Sequence, residues 1–329
     1  MSPPPFLPPR FLRNPHVQSV LASSSLRRAL SRRRRVGLEA PAQEILLECG
    51  EGVRLQGFHT SQHALARARG LAVLLHGWEG SAQSTYLLHT GVHLLDEGFD
   101  VFRLNMRDHG DTHHLNDGLF HSNRIDEVVG AVGALAKRFV DLPMAVVGYS
   151  LGGNFALRIA LRAPAAGIPL VHAVAVCPVI SPAAGLASIE TALWFYEAYF
   201  LKKWRGSLRR KAVLFPKQYR REDWERGQNL RGLTRQLVEQ HTDFGTLERY
   251  LEGYSLADDR LAAMQVPSSI LTAADDPIIP VEDFRRLTFS PAVRLEIAAH
   301  GGHCGFLRGL NGRTYAEEFI AAALRGAVD

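Results

Sequence analysis

The length, composition and charge of the chain are those of a globular protein. It has 329 residues, of which 46% are hydrophobic and 22% are charged, and its net charge is +5. This composition excludes a disordered chain, and no apolar run approaches the roughly 20 residues that cross a bilayer.

The positive charge is concentrated in two segments. Residues 1–38 contain eight arginines and no acidic residue, because Glu39 is the first acid. Residues 202–235 contain twelve basic and three acidic residues. Such segments fit an anionic lipid surface, nucleic acid, an acidic substrate or simply a solvated surface. We keep peripheral contact with an anionic membrane as a hypothesis and expect no nucleic-acid partner.

The N-terminal residues and the cysteines bear on the cellular compartment. The opening MSPPPFLPPRF has no basic segment followed by an apolar one, so we do not expect a signal peptide. Its prolines favour an extended arm over residues 1–10. Cys49, Cys177 and Cys304 are odd in number and far apart, which favours a reducing compartment. We therefore expect a cytoplasmic protein.

Short apolar runs alternate with helical stretches from residue 44 onward. The first two predicted strands, 44–48 and 53–59, are joined at two glycines and form a hairpin. Further strands are predicted at 71–75, 101–104, 145–147, 171–176, 269–272 and 293–297. Helices are predicted at about 84–96, 123–139, 152–162, 281–288 and 312–325. Apolar strands separated by helices indicate an α/β fold, with a mostly parallel central sheet and helices on both faces.

One long interval, rich in aromatic and basic residues, breaks this alternation between strands 171–176 and 269–272. A structureless loop of about ninety residues is rare in a compact domain, so we predict a helical lid or cap insertion over 181–255. The chain then divides into a basic N-terminal arm at 1–40, a core at 41–180 and 256–329, and this lid. The lid aromatics fit internal packing or an acyl-binding wall, and their alternation with bases also suits single-stranded nucleic acid.

Residues 148–152 read Gly-Tyr-Ser-Leu-Gly and match the nucleophile elbow G-x-S-x-G. An apolar strand precedes this motif and a helix follows it, so Ser150 is predicted on a strained strand-to-helix turn. The N-terminus of the helix would then lie beneath a developing negative charge. We predict that Ser150 is a nucleophile, with an ordinary glycine turn as the alternative.

A second glycine-containing turn, His76 to Gly80, directly follows the strand 71–75. In a sheet of this kind the turn after that strand supplies one N–H of an oxyanion hole, and the residue after the serine supplies the other. We predict that the backbone N–H groups of Trp78 and Leu151 form this oxyanion hole.

An acid and a histidine follow Ser150, and the order serine, acid, histidine is the one expected when the serine lies on an elbow in a fold of this kind. Asp276 lies in the loop after the strand 269–272, and His303 lies in the loop after the strand 293–297. Loops at the carboxyl ends of parallel strands are where such sheets build sites. We predict that His303 is the base and that Asp276 orients it. Asp275 and His300 are the competing acid and base.

These motifs together resemble the α/β-hydrolase superfamily, and three segments are similar to its YheT-like branch. Residues 14–19 resemble the NPHLQT segment of that branch, residues 76–81 resemble its HGLEGS, and residues 103–111 resemble its NxRGHG run, with Asp108 where that run has glycine. The resemblance covers about residues 11–310. It implies a serine hydrolase of the carboxylesterase or lipase type that cleaves small-molecule acyl esters through an acyl-enzyme and uses no cofactor.

Three alternatives remain open at this point. His109, His113, His114 and His121 are numerous enough for a metal site, but their spacing fits no standard motif, and we predict no metal. The same triad would serve an acyltransferase, for which the H-x4-D match at His121 is weak support. The chain could also be a non-catalytic binding or membrane-associating protein on the same fold. Neither the natural substrate nor the oligomeric state follows from the sequence.

Overall fold

A single sheet of eight strands organises the computed structural model, which describes residues 6–224 and 229–328. The strands are β1 (Gln43–Glu48), β2 (Arg54–Thr60), β3 (Leu71–Leu75), β4 (Asp100–Leu104), β5 (Met144–Tyr149), β6 (Leu170–Val176), β7 (Ser268–Ala273) and β8 (Val293–Ala298). Their order is β1-β2-β4-β3-β5-β6-β7-β8, antiparallel at β1–β2 and β2–β4 and parallel elsewhere. The predicted α/β fold class and all eight predicted strands are confirmed.

Helices cover both faces of this sheet. They are α1 (Pro15–Ala22), α2 (Ser25–Leu30), α3 (Arg32–Glu39), α4 (Thr85–Asp96), α5 (Ile125–Arg138), α6 (Leu151–Arg162), α7 (Pro182–Thr191), α8 (Trp194–Leu214), α9 (Leu230–His241), α10 (Leu247–Gly253), α11 (Val281–Arg285) and α12 (Tyr315–Val328). Residues of α5 and α6 share one apolar cluster with the sheet, and residues of α4 and α12 share the other. Because both faces are covered, every residue of β3, β4 and β5 is buried.

The predicted extended arm over residues 1–10 lies partly outside the described residues, which begin at residue 6, and no helix is present at residues 6–9. From Arg10 onward a short 3-10 helix leads into α1. Asn14 caps α1 by accepting hydrogen bonds from the two following backbone N–H groups, and Pro15 occupies its first turn. Asparagine followed by proline is a typical start of a helix, so Asn14 and Pro15 were a local signal for α1. The guanidinium of Arg27 is buried against the Glu317 carboxylate on α12, so this segment packs on the core.

The described residues of the insertion between β6 and β7, which we call the lid, include the helices α7 to α10. It has an apolar cluster of its own, which includes Trp204 and Leu208 of α8 and Leu233 and Val238 of α9. Trp78, from the turn after β3, packs against both this cluster and the main core. The lid therefore meets the core at one of the residues predicted for the site.

A buried ion pair holds the lid to the loop after β4. Asp108 has φ = 60°, a left-handed conformation that glycine adopts more easily, and so it keeps the backbone shape of the glycine it replaces. Its carboxylate accepts hydrogen bonds from the Phe120 N–H at 2.8 Å and from Lys211 Nζ of α8 at 2.7 Å. Burial raises the pKa of Asp108 and lowers that of Lys211, against their mutual attraction. We therefore assign the pair a role in fixing the lid rather than in net stability.

Candidate active site

The turn that carries Ser150 depends on close backbone approach. Ser150 has φ = 54° between the end of β5 and the start of α6, and its N–H donates to the Val176 carbonyl at 2.8 Å. A Cβ at Gly148 would lie 2.0 Å from the Gly152 carbonyl oxygen, and one at Gly152 would lie 2.5 Å from the Leu75 carbonyl oxygen. Any residue with a Cβ would clash at either position, so both positions of the motif require glycine. The turn holds the serine Oγ at the carboxyl edge of the sheet.

Two hydrogen bonds connect the three residues predicted to form a triad. His303 Nε2 lies 2.9 Å from Ser150 Oγ, and His303 Nδ1 lies 2.9 Å from Asp276 Oδ2. The Asp276 side chain is fully buried, and its other oxygen accepts from the N–H groups of Ile278 and Ile279 at 2.8 and 3.0 Å. These contacts orient the carboxylate toward the imidazole, which in turn meets the serine hydroxyl.

The competing acid and base pair with each other instead. Asp275 accepts a hydrogen bond from the Gly302 N–H at 2.9 Å, and its second oxygen lies 3.3 Å from His300 Nδ1. Asp275 therefore braces the loop that carries His303, while Asp276 contacts the His303 ring. The two adjacent carboxylates therefore have different partners: Asp275 contacts the loop backbone and His300, and Asp276 contacts His303.

The charge of Asp276 governs the protonation of His303. Burial disfavours the imidazolium, but the neighbouring Asp276 carboxylate, with a further contribution from Cys304, outweighs burial and raises the pKa of His303 well above its ordinary value. A histidine that must take a proton from Ser150 and then donate it to a leaving group benefits from this increase in basicity. The arrangement can therefore support general base and general acid catalysis at one imidazole.

Two buried histidines hold the turn after β3, a role that the sequence analysis did not identify. His76 Nδ1 donates to the Gly77 carbonyl at 2.8 Å, and its Nε2 accepts the Met106 N–H at 3.1 Å. His109 Nδ1 donates to the Arg107 carbonyl at 2.7 Å, and its Nε2 accepts the Glu79 N–H at 3.1 Å. Burial lowers the pKa of both rings, to about 4 for His109, so both are neutral with defined tautomers.

These contacts leave Trp78 between two occupied backbone donors. The Gly77 N–H donates to the Tyr86 hydroxyl at 2.9 Å, and the Glu79 N–H is held by His109. Within residues 6–224 and 229–328, neither the Trp78 N–H nor the Leu151 N–H has a hydrogen-bond acceptor. Two free donors beside Ser150 are what an oxyanion site needs.

An apolar cavity of about 110 Å³ opens beside Ser150. Its wall combines core residues with residues of all four lid helices, among them Ile189, Phe200, Leu237 and Tyr250. The Trp78 ring stacks on the Phe200 ring, with 5.3 Å between the ring centroids. It packs edge to face with the Trp204 ring, with 5.2 Å between the centroids. The residue predicted to supply an oxyanion donor thus also forms the contact between lid and core. The lid aromatics serve both of the roles considered above, internal packing and a pocket wall.

Helix α1 supports the loop that carries His303. The Ser19 hydroxyl accepts the His303 N–H at 2.8 Å, and Gln18 Oε1 accepts the Leu307 N–H at 2.7 Å. A Cβ at Gly302 would lie 2.2 Å from the Pro15 carbonyl oxygen, so that glycine makes room for the helix. The predicted N-terminal arm therefore contributes contacts to the loop that carries His303. The resemblance at residues 14–19 was the sequence signal for this segment.

Three of the four clustered histidines have separate partners. His109 holds the turn after β3, the His113 ring lies 2.8 Å from Ser207 Oγ of the lid, and His121 meets the rings of Phe244 and Tyr250 edge to face. His114 is exposed. Their positions are explained by packing and hydrogen bonding in the described part of the chain.

Cys177, Cys304 and His303 form the one group with metal-ligand chemistry found among the described residues, with ligand atoms within 4.8 Å of one another. Both nitrogens of His303 already face Asp276 and Ser150. The group therefore offers a metal only two thiols unless the imidazole leaves its present partners.

No helix within the described ranges is long and apolar enough to cross a membrane.

A model of the alpha/beta hydrolase family matches residues 72–320. The chain therefore belongs to the alpha/beta hydrolase family. It is similar to YheT of Escherichia coli (strain K12), with 26% identity across 92% of this chain and 87% of YheT. It is also 24% identical to phospholipase ABHD3 of Mus musculus, a match that covers 80% of this chain and spans 65% of that longer relative.

Solved structures show the same fold. The esterase Pf2001 of Pyrococcus furiosus superposes with a TM-score of 0.55 at 15% identity, over 87% of this chain and 92% of that chain. A serine hydrolase of Cycloclasticus zankles superposes with a TM-score of 0.57 at 16% identity, over 87% of this chain and 98% of that one. At such low identity these likenesses establish the architecture.

Removing the Ser19 hydroxyl should impair turnover without weakening substrate binding. We expect Ser19→Ala to lower kcat by about 10- to 100-fold with little change in KM, because a shift of about 1 Å in a reacting group has that effect. Ser23→Ala is the matched control, since Ser23 is exposed directly after the same helix. Steady-state kinetics on a soluble ester measure both constants. An unchanged kcat in folded Ser19→Ala would show that α1 does not position His303.

The two adjacent aspartates should differ sharply when each is replaced. Asp276→Asn removes the carboxylate on the His303 ring and should cost on the order of 10⁴ in turnover, while Asp275→Asn should cost far less. Because neutral His303 is the predicted base, activity should rise with pH through its raised pKa. Removing the Asp276 charge lowers that pKa, so the acidic limb of the residual activity should move to lower pH. A larger loss at Asp275 would reverse the assignment.

Proposed function

We propose that this protein is a serine hydrolase of carboxylic esters, with Ser150 as nucleophile, His303 as base and acid, and Asp276 as the residue that orients His303. The observation that carries the proposal is the continuous hydrogen-bonded series from Asp276 through His303 to Ser150, beside an apolar cavity. The esterase and phospholipase names of the similar proteins agree with this class of substrate.

The reaction follows from the positions of these groups. Ser150 Oγ attacks the ester carbonyl carbon while His303 Nε2 accepts the serine proton. As the tetrahedral intermediate collapses, the bond to the alkoxy group breaks, and His303 returns the proton to the departing alcohol. Water then attacks the acyl-enzyme with His303 again as base, which releases the carboxylic acid and restores Ser150.

The Trp78 and Leu151 N–H groups would stabilise the oxyanion in both steps. Neither donor has another acceptor among the described residues, so neither must break a bond to serve the intermediate. The neutral rings of His76 and His109 keep the Trp78 turn in shape without adding a charge beside the oxyanion. Preorganised donors of this kind are usually the largest electrostatic contribution to acyl transfer.

The cavity favours an acyl group with an apolar chain. Its wall includes aliphatic and aromatic side chains from the lid, such as Leu186, Ile189 and Leu237, together with Ile278 and Ile279 of the core. Burial of a methylene against such a wall contributes about 0.8 kcal/mol, so chain length should affect kcat/KM directly. A lipid ester is the substrate class that uses this wall.

Labelling by a fluorophosphonate probe tests the proposal. The native protein should become covalently modified at Ser150, and Ser150→Ala should resist modification while keeping its thermal melting temperature. The probe reports an activated serine whether or not the natural ester is known. Absence of labelling in the native, folded protein would refute the proposed chemistry and favour a non-catalytic role.

A larger side chain at Gly185 should shorten the acyl chain that is accepted. Gly185 lines the cavity from α7, and a Cβ there would meet Ile279 Cδ1 at an ordinary 3.7 Å, so a side chain can begin there and Gly185→Leu should reduce the cavity volume. We expect kcat/KM for long-chain p-nitrophenyl esters to fall by about 10- to 200-fold, with little change for the acetate. Gly206→Leu on exposed α8 surface is the matched control. Equal losses for short and long esters would place the acyl chain elsewhere.

A further inference from the structure

Apolar side chains project into solvent along the N-terminal helices. Leu7, Phe11, Val20, Leu26, Leu30 and Val36 are each between 51% and 72% exposed. Helix α1 exposes Val17 and Val20, three residues apart, while Gln18, Ser19 and Ala22 face the core. Helix α2 exposes Leu26 and Leu30, four residues apart. Such spacing places the exposed residues of each helix on one face, and patches of this kind mark interaction sites.

Exposed arginines accompany these apolar side chains along the N-terminal segment, and one of them, Arg34, pairs with the exposed Asp96 of α4. Arg10, Arg13, Arg32 and Arg33 are exposed and make no ion pair with any residue that the structure describes. Residues 6–38 contain no aspartate or glutamate. We call the exposed residues of this segment, apolar and basic together, the N-terminal surface.

The N-terminal surface adjoins an exposed aromatic tip of the lid. His16 Nδ1 lies 3.0 Å from the Tyr196 hydroxyl, and the His16 ring also meets Phe195 at 6.4 Å. Immediately before these residues, Leu193 precedes α8 and Trp194 is its first residue, and Trp194 is 78% exposed. The cavity wall includes Ile189 before this tip and Phe200 after it. The N-terminal surface therefore contacts the lid segment whose neighbouring residues, Ile189 and Phe200, line the cavity.

We propose that the N-terminal surface and the lid tip at Leu193 and Trp194 dock on the surface of an anionic lipid bilayer. Exposed aliphatic and aromatic side chains would enter the headgroup region, and the arginines would meet lipid phosphates. A second copy of the chain would bring arginines against arginines. Nucleic acid would match the arginines but leave the aliphatic side chains in water.

Docking would serve the proposed function by supplying the substrate class. An ester with long apolar chains resides in the bilayer rather than in water, and the lid wall would then lie close to its source. This benefit rests on the proposed esterase activity. The docking itself is a property of the surface and does not depend on Ser150.

Vesicle flotation with the full chain tests the proposal. Native protein and Ser150→Ala should bind phosphatidylglycerol-containing vesicles equally at low salt and much less at about 0.5 M salt, where the Debye length is only a few ångströms. Phosphatidylcholine vesicles should bind far less. Labelling by fluorophosphonate can fail while flotation succeeds, and the reverse, so the two proposals are tested separately.

Two sets of variants separate the contributions of charge and apolar contact. Each interfacial arginine is worth about fivefold in partitioning, so Arg32→Gln with Arg33→Gln should lower binding about 25-fold. Leu26→Ser with Leu30→Ser should lower it about tenfold for each residue. Arg138→Gln with Val140→Ser is the matched control, because these exposed residues lie at the opposite, amino end of β5. Turnover of a soluble short-chain ester should not change in any of them.

Several outcomes would overturn the proposal. They are no flotation at low salt, an equal loss in the control variant, or binding to a single-stranded oligonucleotide with no vesicle binding. A concentration-dependent dimer that the leucine variants abolish, without vesicle binding, would assign the surface to a second copy instead. Trp194 gives an independent reading: its fluorescence should shift to the blue with vesicles, and the shift should vanish in Trp194→Phe.

Discussion

The close packing of backbone around Ser150 is the constraint on which the rest of the site depends. Gly148 and Gly152 have no room for a Cβ, because carbonyl oxygens of Gly152 and Leu75 occupy that space. With both clearances met, β5 turns sharply into α6 and Ser150 takes a positive φ. The cost of that conformation is borne by the buried strands on either side. Only then do the loops after β3, β7 and β8 converge on one hydroxyl.

Each converging loop is held by groups outside the reacting set. Neutral His76 and His109 hold the turn at Trp78, and α1 holds the loop at His303 through Ser19. The Asp108–Lys211 pair ties the lid to the loop that contains His109. The N-terminal segment, the loop after β4 and the lid therefore meet at the site, although they are distant in sequence. Precise placement of reacting groups commonly requires such supporting contacts.

Local patterns anticipated much of this architecture because they record local physics. The buried strands form continuous apolar runs, since both faces of the sheet are covered. The glycines of the G-x-S-x-G motif are needed because the turn has no room for a Cβ at those positions. The order of serine, acid and histidine along the chain follows from the fold. Asp276 was predicted as the acid and Asp275 as its competitor, and in the structure it is Asp276 that lies against the His303 ring. The sequence showed that Asp108 stands where the similar family segment has glycine. It could not show the ion pair with Lys211, because that residue lies about a hundred positions further along the chain.

The sequence by itself determined the strands, the elbow and the family, because periodicity and short motifs express forces between residues close along the chain. Tertiary structure alone decided which buried polar atoms meet. Nothing local indicates that Ser19 accepts the His303 N–H, that His109 accepts the Glu79 N–H, or that Trp78 stacks on Phe200. Such contacts join segments by desolvation and hydrogen-bond satisfaction, and buried polar groups find their partners only once the chain is packed.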